Sequence, residues 1–219
     1  MRQSIILLLT GLVVLVGCEA KPPEPPPVEA PPEPTPQEIF NNDLQPILTV
    51  LWGPLRGGQF YDDAQHDEAI AKLGTLKARH SATENGRIAL GNFTREVETL
   101  IREARDANRW RLVKAGCRAY AVMQPGNDRY KKLEERADLM LARPRVAIRG
   151  FFETNGELYV FLDATDPKTG ETTNYKIREG EEFHGVLRLV RVIGRNQAAE
   201  ILYIPVNDTW EVQAPGESR

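Results

Sequence analysis

The sequence predicts an α+β protein in which a helical bundle precedes a small C-terminal β-sandwich or partly open β-barrel. Apolar residues recur at helical spacing from Gln37 to Arg143, and beyond this point they alternate at strand spacing. An apolar leader and a proline-rich stretch come before both parts. The chain therefore divides into a signal peptide (1–17), a tether (18–36), a helical domain (37–143), a β-domain (144–213) and a tail (214–219). Its 219 residues suffice for one domain of ordinary size or two small ones.

The leader has the layout of a secretory signal that ends at a cysteine. Basic Arg2 precedes an apolar run from Ile5 to Val16, which is shorter than the about 20 residues that a spanning helix needs. The segment Leu15-Val16-Gly17-Cys18 resembles the lipobox of bacterial lipoproteins. That resemblance implies cleavage before Cys18 and attachment of fatty acids such as palmitate to its thiol and its new amine. An ordinary signal peptide that leaves Cys18 free or paired is the alternative.

The tether is too rich in proline to form a helix or a strand. Proline lacks an amide hydrogen and fixes φ, so an extended polyproline II segment is expected. At about 3.1 Å per residue it would hold the rest of the chain up to roughly 50 Å from a bilayer. Its prolines are Pro22, Pro23, Pro25, Pro26, Pro27, Pro31, Pro32, Pro34 and Pro36, interspersed with Glu24, Glu29 and Glu33. The alternative is a ligand for an aromatic groove.

Caps and breakers delimit the predicted helices. Helices are expected from Gln37 to Gly53, from an Asp62 or Asp63 cap to His80, from Thr83 or Glu84 to about Asp106, from Trp110 to Met123, and from about Asp128 to Pro144. Pro46 predicts a kink or an early break in the first. The last two helices form an αα-hairpin that weakly resembles one tetratricopeptide unit. Because no second copy follows at a fixed period, we expect a small antiparallel bundle instead.

Five or six short strands are predicted after residue 144. The turn Thr154-Asn155-Gly156-Glu157 carries the strongest short hairpin signal. The strands are expected around Val146–Gly150 and at Leu158–Leu162, Thr172–Ile177, Val186–Ile193, Ala199–Ile204 and Thr209–Val212. Short strands at this spacing are typical of a small sandwich or barrel.

The strand order is similar to the periplasmic β-domain of type IV pilus assembly lipoproteins and of the type II secretion clamp protein. The matching features are Gly150, the hairpin Phe151–Leu162, the step Tyr175-Lys176-Ile177-Arg178-Glu179-Gly180-Glu181, Gly185 before Leu189–Ile193, and the strand Ala199–Tyr203. A lipidated cysteine and a proline-rich tether also precede the β-domain in the pilus lipoprotein. In that family the tether contacts inner-membrane partners and the β-domain reaches toward the secretin. This chain departs from the family by placing about 100 helical residues between them.

The best candidate for a metal site is the acidic start of the second helix. Asp63, His66 and Asp67 are expected to share one helix face, where they could supply carboxylates and an imidazole to a metal. The stronger interpretation is an acidic N-terminus with Asp62 or Asp63 as its cap, so no metal site is assigned. His80 and His184 are isolated, and each is expected at the surface or in a loop.

The remaining candidates for chemistry also have structural interpretations. Cys117 has no partner in the chain if Cys18 carries lipid, and we interpret it as a small buried hydrophobe on a helix rather than a reactive thiol. Glu179, Glu181 and Glu182 could imitate a paired-carboxylate site but are expected in a solvated turn. The sequence has no nucleophile elbow, no zinc-protease motif and no phosphate-binding loop motif. No catalytic residue and no cofactor are therefore predicted.

These observations predict a membrane-anchored, extracytoplasmic lipoprotein that is not an enzyme. Its net charge of −3 argues against nucleic acid as a partner. It would act as a scaffold or binding component with a protein partner in the cell envelope, on the periplasmic side where an outer membrane exists. The resemblance implies a role in type IV pilus or type II secretion assembly, with an exposed edge of the β-domain pairing with a partner strand. The alternatives are a metal-dependent hydrolase that uses Asp62–Asp67, and a solute- or cell-wall-binding lipoprotein with a deep apolar pocket.

Overall fold

The computed structural model describes residues 32–53, 62–194 and 196–215, so the signal peptide, Cys18 and most of the tether lie outside the described residues. The described residues from Pro34 onward belong to one compact unit with an α+β fold. Its helices are α1 (Pro36–Ile39), α2 (Gln45–Trp52), α3 (Asp63–His80), α4 (Glu84–Asp106), α5 (Trp110–Met123) and α6 (Lys131–Leu141). A π-helical turn (Phe40–Leu44) joins α1 to α2, and a 3-10 turn (Asp128–Tyr130) precedes α6. Within the described ranges, no helix has the length and apolar character needed to cross a bilayer.

The first helical segment changes its winding just before Pro46. Thr35 and Glu38 form a capping box that starts α1 at Pro36, one residue earlier than predicted. The amide of Gln45 then donates to the carbonyl of Phe40, five residues back, which is the wider π-helical spacing. The proline ring would clash with the carbonyl four residues before it in a regular helix. The irregularity predicted at Pro46 is confirmed, but it takes the form of a π-helical turn rather than an end of the helical segment.

Local capping starts α3 and α4 where the sequence predicts. The Asp62 side chain accepts a hydrogen bond from the amide of Ala64 at 2.9 Å, and the Thr83 hydroxyl accepts one from the amide of Gly86 at 3.0 Å. The helices enclose a core whose largest fully buried side chains are Leu44, Leu48, Leu51, Leu73, Phe93, Val97, Leu100 and Ile101. Helix α5 passes very close to α4, because a methyl group added at Gly116 would lie 2.7 Å from Cγ1 of Ile101.

The described C-terminal residues form two antiparallel sheets. The three-stranded sheet has the order β1 (Arg145–Thr154), β2 (Glu157–Thr165), β3 (Thr172–Ile177). The four-stranded sheet has the order β4 (Glu182–Phe183), β5 (Leu187–Ile193), β6 (Ala198–Tyr203), β7 (Asp208–Gln213). The predicted hairpin is confirmed: Asn155 (φ 52°) and Gly156 (φ 76°) both have the positive φ that its two-residue turn requires. The prediction of five or six strands was short of the seven described, because two-residue β4 is too brief to show an alternation.

Residues of both sheets contribute to one hydrophobic cluster. Val160 and Leu162 of β2 contribute to it together with Leu187, Leu189 and Ile201 of the other sheet. The members named on β2 and on β5 are two residues apart, as period-2 geometry requires of side chains that share one face of a sheet.

Helix α6 ties the helical and β parts together. Its Met140 belongs to the core of the β-domain, and Trp110 at the start of α5 packs against both cores. The Tyr203 hydroxyl donates to the carbonyl of Leu139 at 3.0 Å, and Arg143 pairs with Asp208 at 3.3 Å. Apolar packing and polar contacts thus connect the two cores directly.

Candidate functional site

The residues predicted as a candidate metal cluster have separate partners and different exposure. His66 is 3% exposed, and its Nδ1 donates to the carbonyl of Asp62 at 2.7 Å. The carboxylates of Asp63 and Asp67 are exposed and lie 3.9 Å from Arg111 and 2.5 Å from Arg118. The three side chains differ in exposure, because His66 packs into the helical core whereas Asp63 and Asp67 face solvent. In the described part of the chain, no group of three His, Cys, Asp or Glu side chains is arranged to hold a metal.

The other histidines and Cys117 have structural surroundings. The expectation that His80 lies at the surface or in a loop was wrong: it ends α3, its side chain is 11% exposed, and its Nε2 lies 2.7 Å from Oδ2 of Asp43. His184 occupies a turn, as predicted, with Nδ1 3.1 Å from the Tyr175 hydroxyl. Cys117 is a buried helix residue, as predicted, and burial raises the pKa of its thiol to about 12.

The three glutamates after β3 have separate partners rather than forming a carboxylate pair. The backbone amide of Arg178 donates to Glu181, and this bond, reinforced by the Arg178 guanidinium, lowers the pKa of that carboxyl. Glu182 pairs with Arg188, and Glu179 accepts a hydrogen bond from the amide of Val192 at 2.6 Å. These contacts are typical of a turn held by surface charges.

An aromatic and cationic surface covers the outer side of the three-stranded sheet. We call it the outer aromatic face, and it consists of Phe152, Tyr159, Phe161, Lys176 and Arg178. Phe152 is directly opposite Tyr159, and Phe161 is opposite Lys176. Cross-strand partners point to the same side of a sheet, as do residues two apart on one strand. Period and register together therefore gather these side chains on one surface.

Two phenylalanines of this face are exposed to solvent. The exposed fraction is 51% for Phe152 and 38% for Phe161. Gly150 is the cross-strand partner of Phe161, and no atom lies within 4 Å of the position that a Cβ there would take. The space over Gly150 is therefore open.

Cations and one hydrogen bond hold the Tyr159 ring in place. Lys176 Nζ lies 4.1 Å from the centre of that ring and 5.9 Å from the centre of the Phe161 ring. The Tyr159 hydroxyl donates to Glu157 at 2.7 Å, and Glu157 also pairs with Arg178 at 2.8 Å. The bond from Tyr159, followed by the charge of Arg178, lowers the pKa of the Glu157 carboxyl. These contacts favour one orientation of the Tyr159 ring.

Lys176 keeps an unbalanced positive charge on this face. Among the described residues, no carboxylate lies within ion-pair distance of its ammonium group, whereas Arg178 is shared between Glu157 and Glu181.

Sequence reasoning treated Leu158–Leu162 as a dense strand and missed its outer side. The alternation in the sequence did indicate this side, since a period of two places Tyr159 and Phe161 on the face of the strand that Val160 and Leu162 do not occupy. What the sequence does not show is which of the two sides the second sheet covers.

No family model, curated protein or solved structure matches this chain.

Proposed function

We propose that this chain is a lipid-anchored, extracytoplasmic protein that acts as a non-catalytic scaffold or binding component of the cell envelope. Cys18 would carry the anchor, and the proline-rich tether would space the compact body from the membrane. The β-domain, a small sandwich or partly open barrel around one shared core, would dock a protein partner on its outer aromatic face. By the resemblance described above, that partner would belong to type IV pilus or type II secretion assembly.

The solvent exposure of Phe152 and Phe161 on an ordered sheet carries this proposal. Fully burying a phenylalanine is worth about 1.5–3 kcal/mol, so two neighbouring exposed rings favour association. Aromatic residues and arginine are also enriched where protein interfaces concentrate their binding energy. Phe152, Tyr159, Phe161 and Arg178 have that composition.

The charge of the face specifies the chemistry of the partner. Lys176 lies over two rings without a carboxylate partner in the described residues. A segment with apolar side chains and a carboxylate would cover the rings and pair with Lys176. We therefore propose an acidic, partly apolar protein segment as the occupant.

A crosslinked pull-down from native membranes tests this proposal. The lipidated protein would be compared with the double variant Phe152→Thr/Phe161→Thr, which keeps β-forming side chains but removes the rings. We expect the partner to be lost while the protein remains in the membrane fraction. Mass spectrometry of the captured partners should identify pilus or secretion components.

Val190→Thr is the matched control, because Val190 is an exposed apolar residue on β5 of the other sheet. It should leave capture unchanged. Equal capture by the double variant would rule out the outer aromatic face as the docking surface. Release of a Cys18→Ser variant from membranes would separately test the anchor, and its retention there would contradict lipidation at Cys18.

A further inference from the structure

A second candidate surface is a cleft between the helical and β parts. Its volume is about 1010 Å³. Helix α5, the start of β1 and the β2–β3 loop all contribute residues to its lining. None of the five residues of the outer aromatic face lines it.

Positive charge predominates in this cleft although the chain as a whole is acidic. The six cations that line it are Arg111, Lys114, Arg118, Arg143, Arg145 and Lys168. Of the described residues, three carboxylates line it, whereas the whole chain has a net charge of −3. Clefts lined by one sign of charge attract ligands of the other sign.

Three carboxylates already lie against the cations of α5. Lys114 pairs with Asp138 at 2.6 Å, Arg118 with Asp67 at 2.5 Å, and Arg111 lies 3.9 Å from Asp63. These cations are three or four residues apart, so they form a row along one face of the helix. Both members of each pair are well exposed, and exposed ion pairs contribute little to stability. A ligand's carboxylates could therefore replace the three aspartates as partners of these cations.

The residues that line the cleft outside α5 include cations without a carboxylate of the cleft as partner. Among the described residues, no carboxylate lies within ion-pair distance of Arg145 or Lys168. Arg143 pairs with Asp208, which is not among the residues of the cleft, and lies 4.5 Å from the ring of Trp210. Cations from both the helical part and the β part thus line the cleft.

Apolar side chains also line the cleft, and they determine which kind of anion would fit it. Met140, Leu141, Pro144, Val146 and Trp210 all line the cleft. A small inorganic anion would leave these apolar surfaces exposed to water. A peptide with alternating acidic and apolar side chains would cover them and would also pair with the cations of the cleft. We infer that this cleft binds an acidic, partly apolar peptide segment, independently of the outer aromatic face.

Fluorescence anisotropy with a labelled peptide that alternates aspartate and leucine tests this inference on the full protein in detergent. The variant Arg145→Gln/Lys168→Gln removes the two cations that have no carboxylate partner in the described chain, so the fold should persist. We expect its affinity for the peptide to fall about tenfold or more, as the loss of charge-assisted hydrogen bonds predicts. Affinity of the unaltered protein should also weaken as salt is raised.

Lys72→Gln/Lys132→Gln is the matched control, since both lysines are exposed, lie on α3 and α6, and do not line the cleft. It makes the same change in net charge and should bind the peptide normally. The Phe152→Thr/Phe161→Thr variant should do so too, which separates this inference from the docking proposal. Equal affinity of the cleft variant, or an equal loss in the lysine control, would overturn it. Tighter binding of inorganic tripolyphosphate at the same cations would overturn the assignment to a peptide.

Discussion

The Cys117 thiol shows how burial controls the chemistry of one residue. It is 2% exposed on α5, and desolvation raises its pKa to about 12 from the ordinary 9.0. Only the thiolate reacts with thiol reagents, so at pH 8 the folded protein should react far more slowly than the unfolded chain. In a Cys18→Ser background, where Cys117 is the only thiol, labelling with a disulfide reagent should be slow without denaturant and fast in guanidinium. Equally fast labelling of the folded protein would contradict the burial.

The same pKa shift predicts how stability depends on pH. The unfolded thiol loses its proton near pH 9, whereas the folded one keeps it to about pH 12. The folded state therefore binds more protons in this window, and the free energy of unfolding should fall as pH rises from 9 toward 12. One such group contributes a slope of about 1.4 kcal/mol per pH unit. Urea titrations of the protein and of a Cys117→Ala variant should differ in this slope, and parallel curves would contradict the shift.

At the residue scale, the sequence predicts contacts that depend on near neighbours. Asp62 and Thr83 cap α3 and α4 as expected, because a cap acts on amides two or three residues away. The different exposure of His66 and Asp63 was not predictable in this way, since packing against the rest of the bundle decides which side chains are buried.

At the element scale, the close approach of α4 and α5 gives a prediction about two glycines. Gly116→Ala would place a methyl group 2.7 Å from Ile101 Cγ1, and such overpacking costs about 1–3 kcal/mol. Gly91→Ala is the control, because it lies in α4 with nothing within 4 Å of the added methyl group. Alanine favours a helix over glycine by about 1 kcal/mol, so the control should be stabilised. Urea unfolding should show a lower free energy of unfolding for Gly116→Ala and a higher one for Gly91→Ala. No change in Gly116→Ala would mean that the two helices lie further apart.

Element boundaries were predicted better than the geometry within the elements. Asn155-Gly156 determines its hairpin locally, but the bulge in β1 between Ile148 and Gly150 depends on the register with β2. Likewise, Pro46 signals a disturbance, whereas the π turn that accommodates it is selected by the packing of Leu44, Ile47 and Leu48 in the core.

At the scale of the whole molecule, the contacts through α6 predict that the two cores unfold together. The Tyr203 hydroxyl, on a strand of the β-domain, donates to a carbonyl of α6, and Trp110 packs against both cores. Tyr203→Phe leaves that carbonyl without this donor and should lower the free energy of unfolding by about 1 kcal/mol. If the helical and β parts form one cooperative unit, hydrogen exchange should show the same decrease in opening free energy for the most protected amides of α4 and of β6.

Tyr159→Phe provides the matched comparison, because it removes a hydroxyl from the exposed outer face instead of the junction. Its effect on both sets of amides should be small, since the bond it removes is exposed to solvent. A loss confined to β6 in Tyr203→Phe would mean that the helical and β parts unfold separately, and that the contacts across α6 do not couple them. Equal losses would mean that the residues of the cleft and of the outer aromatic face belong to one unit that unfolds cooperatively.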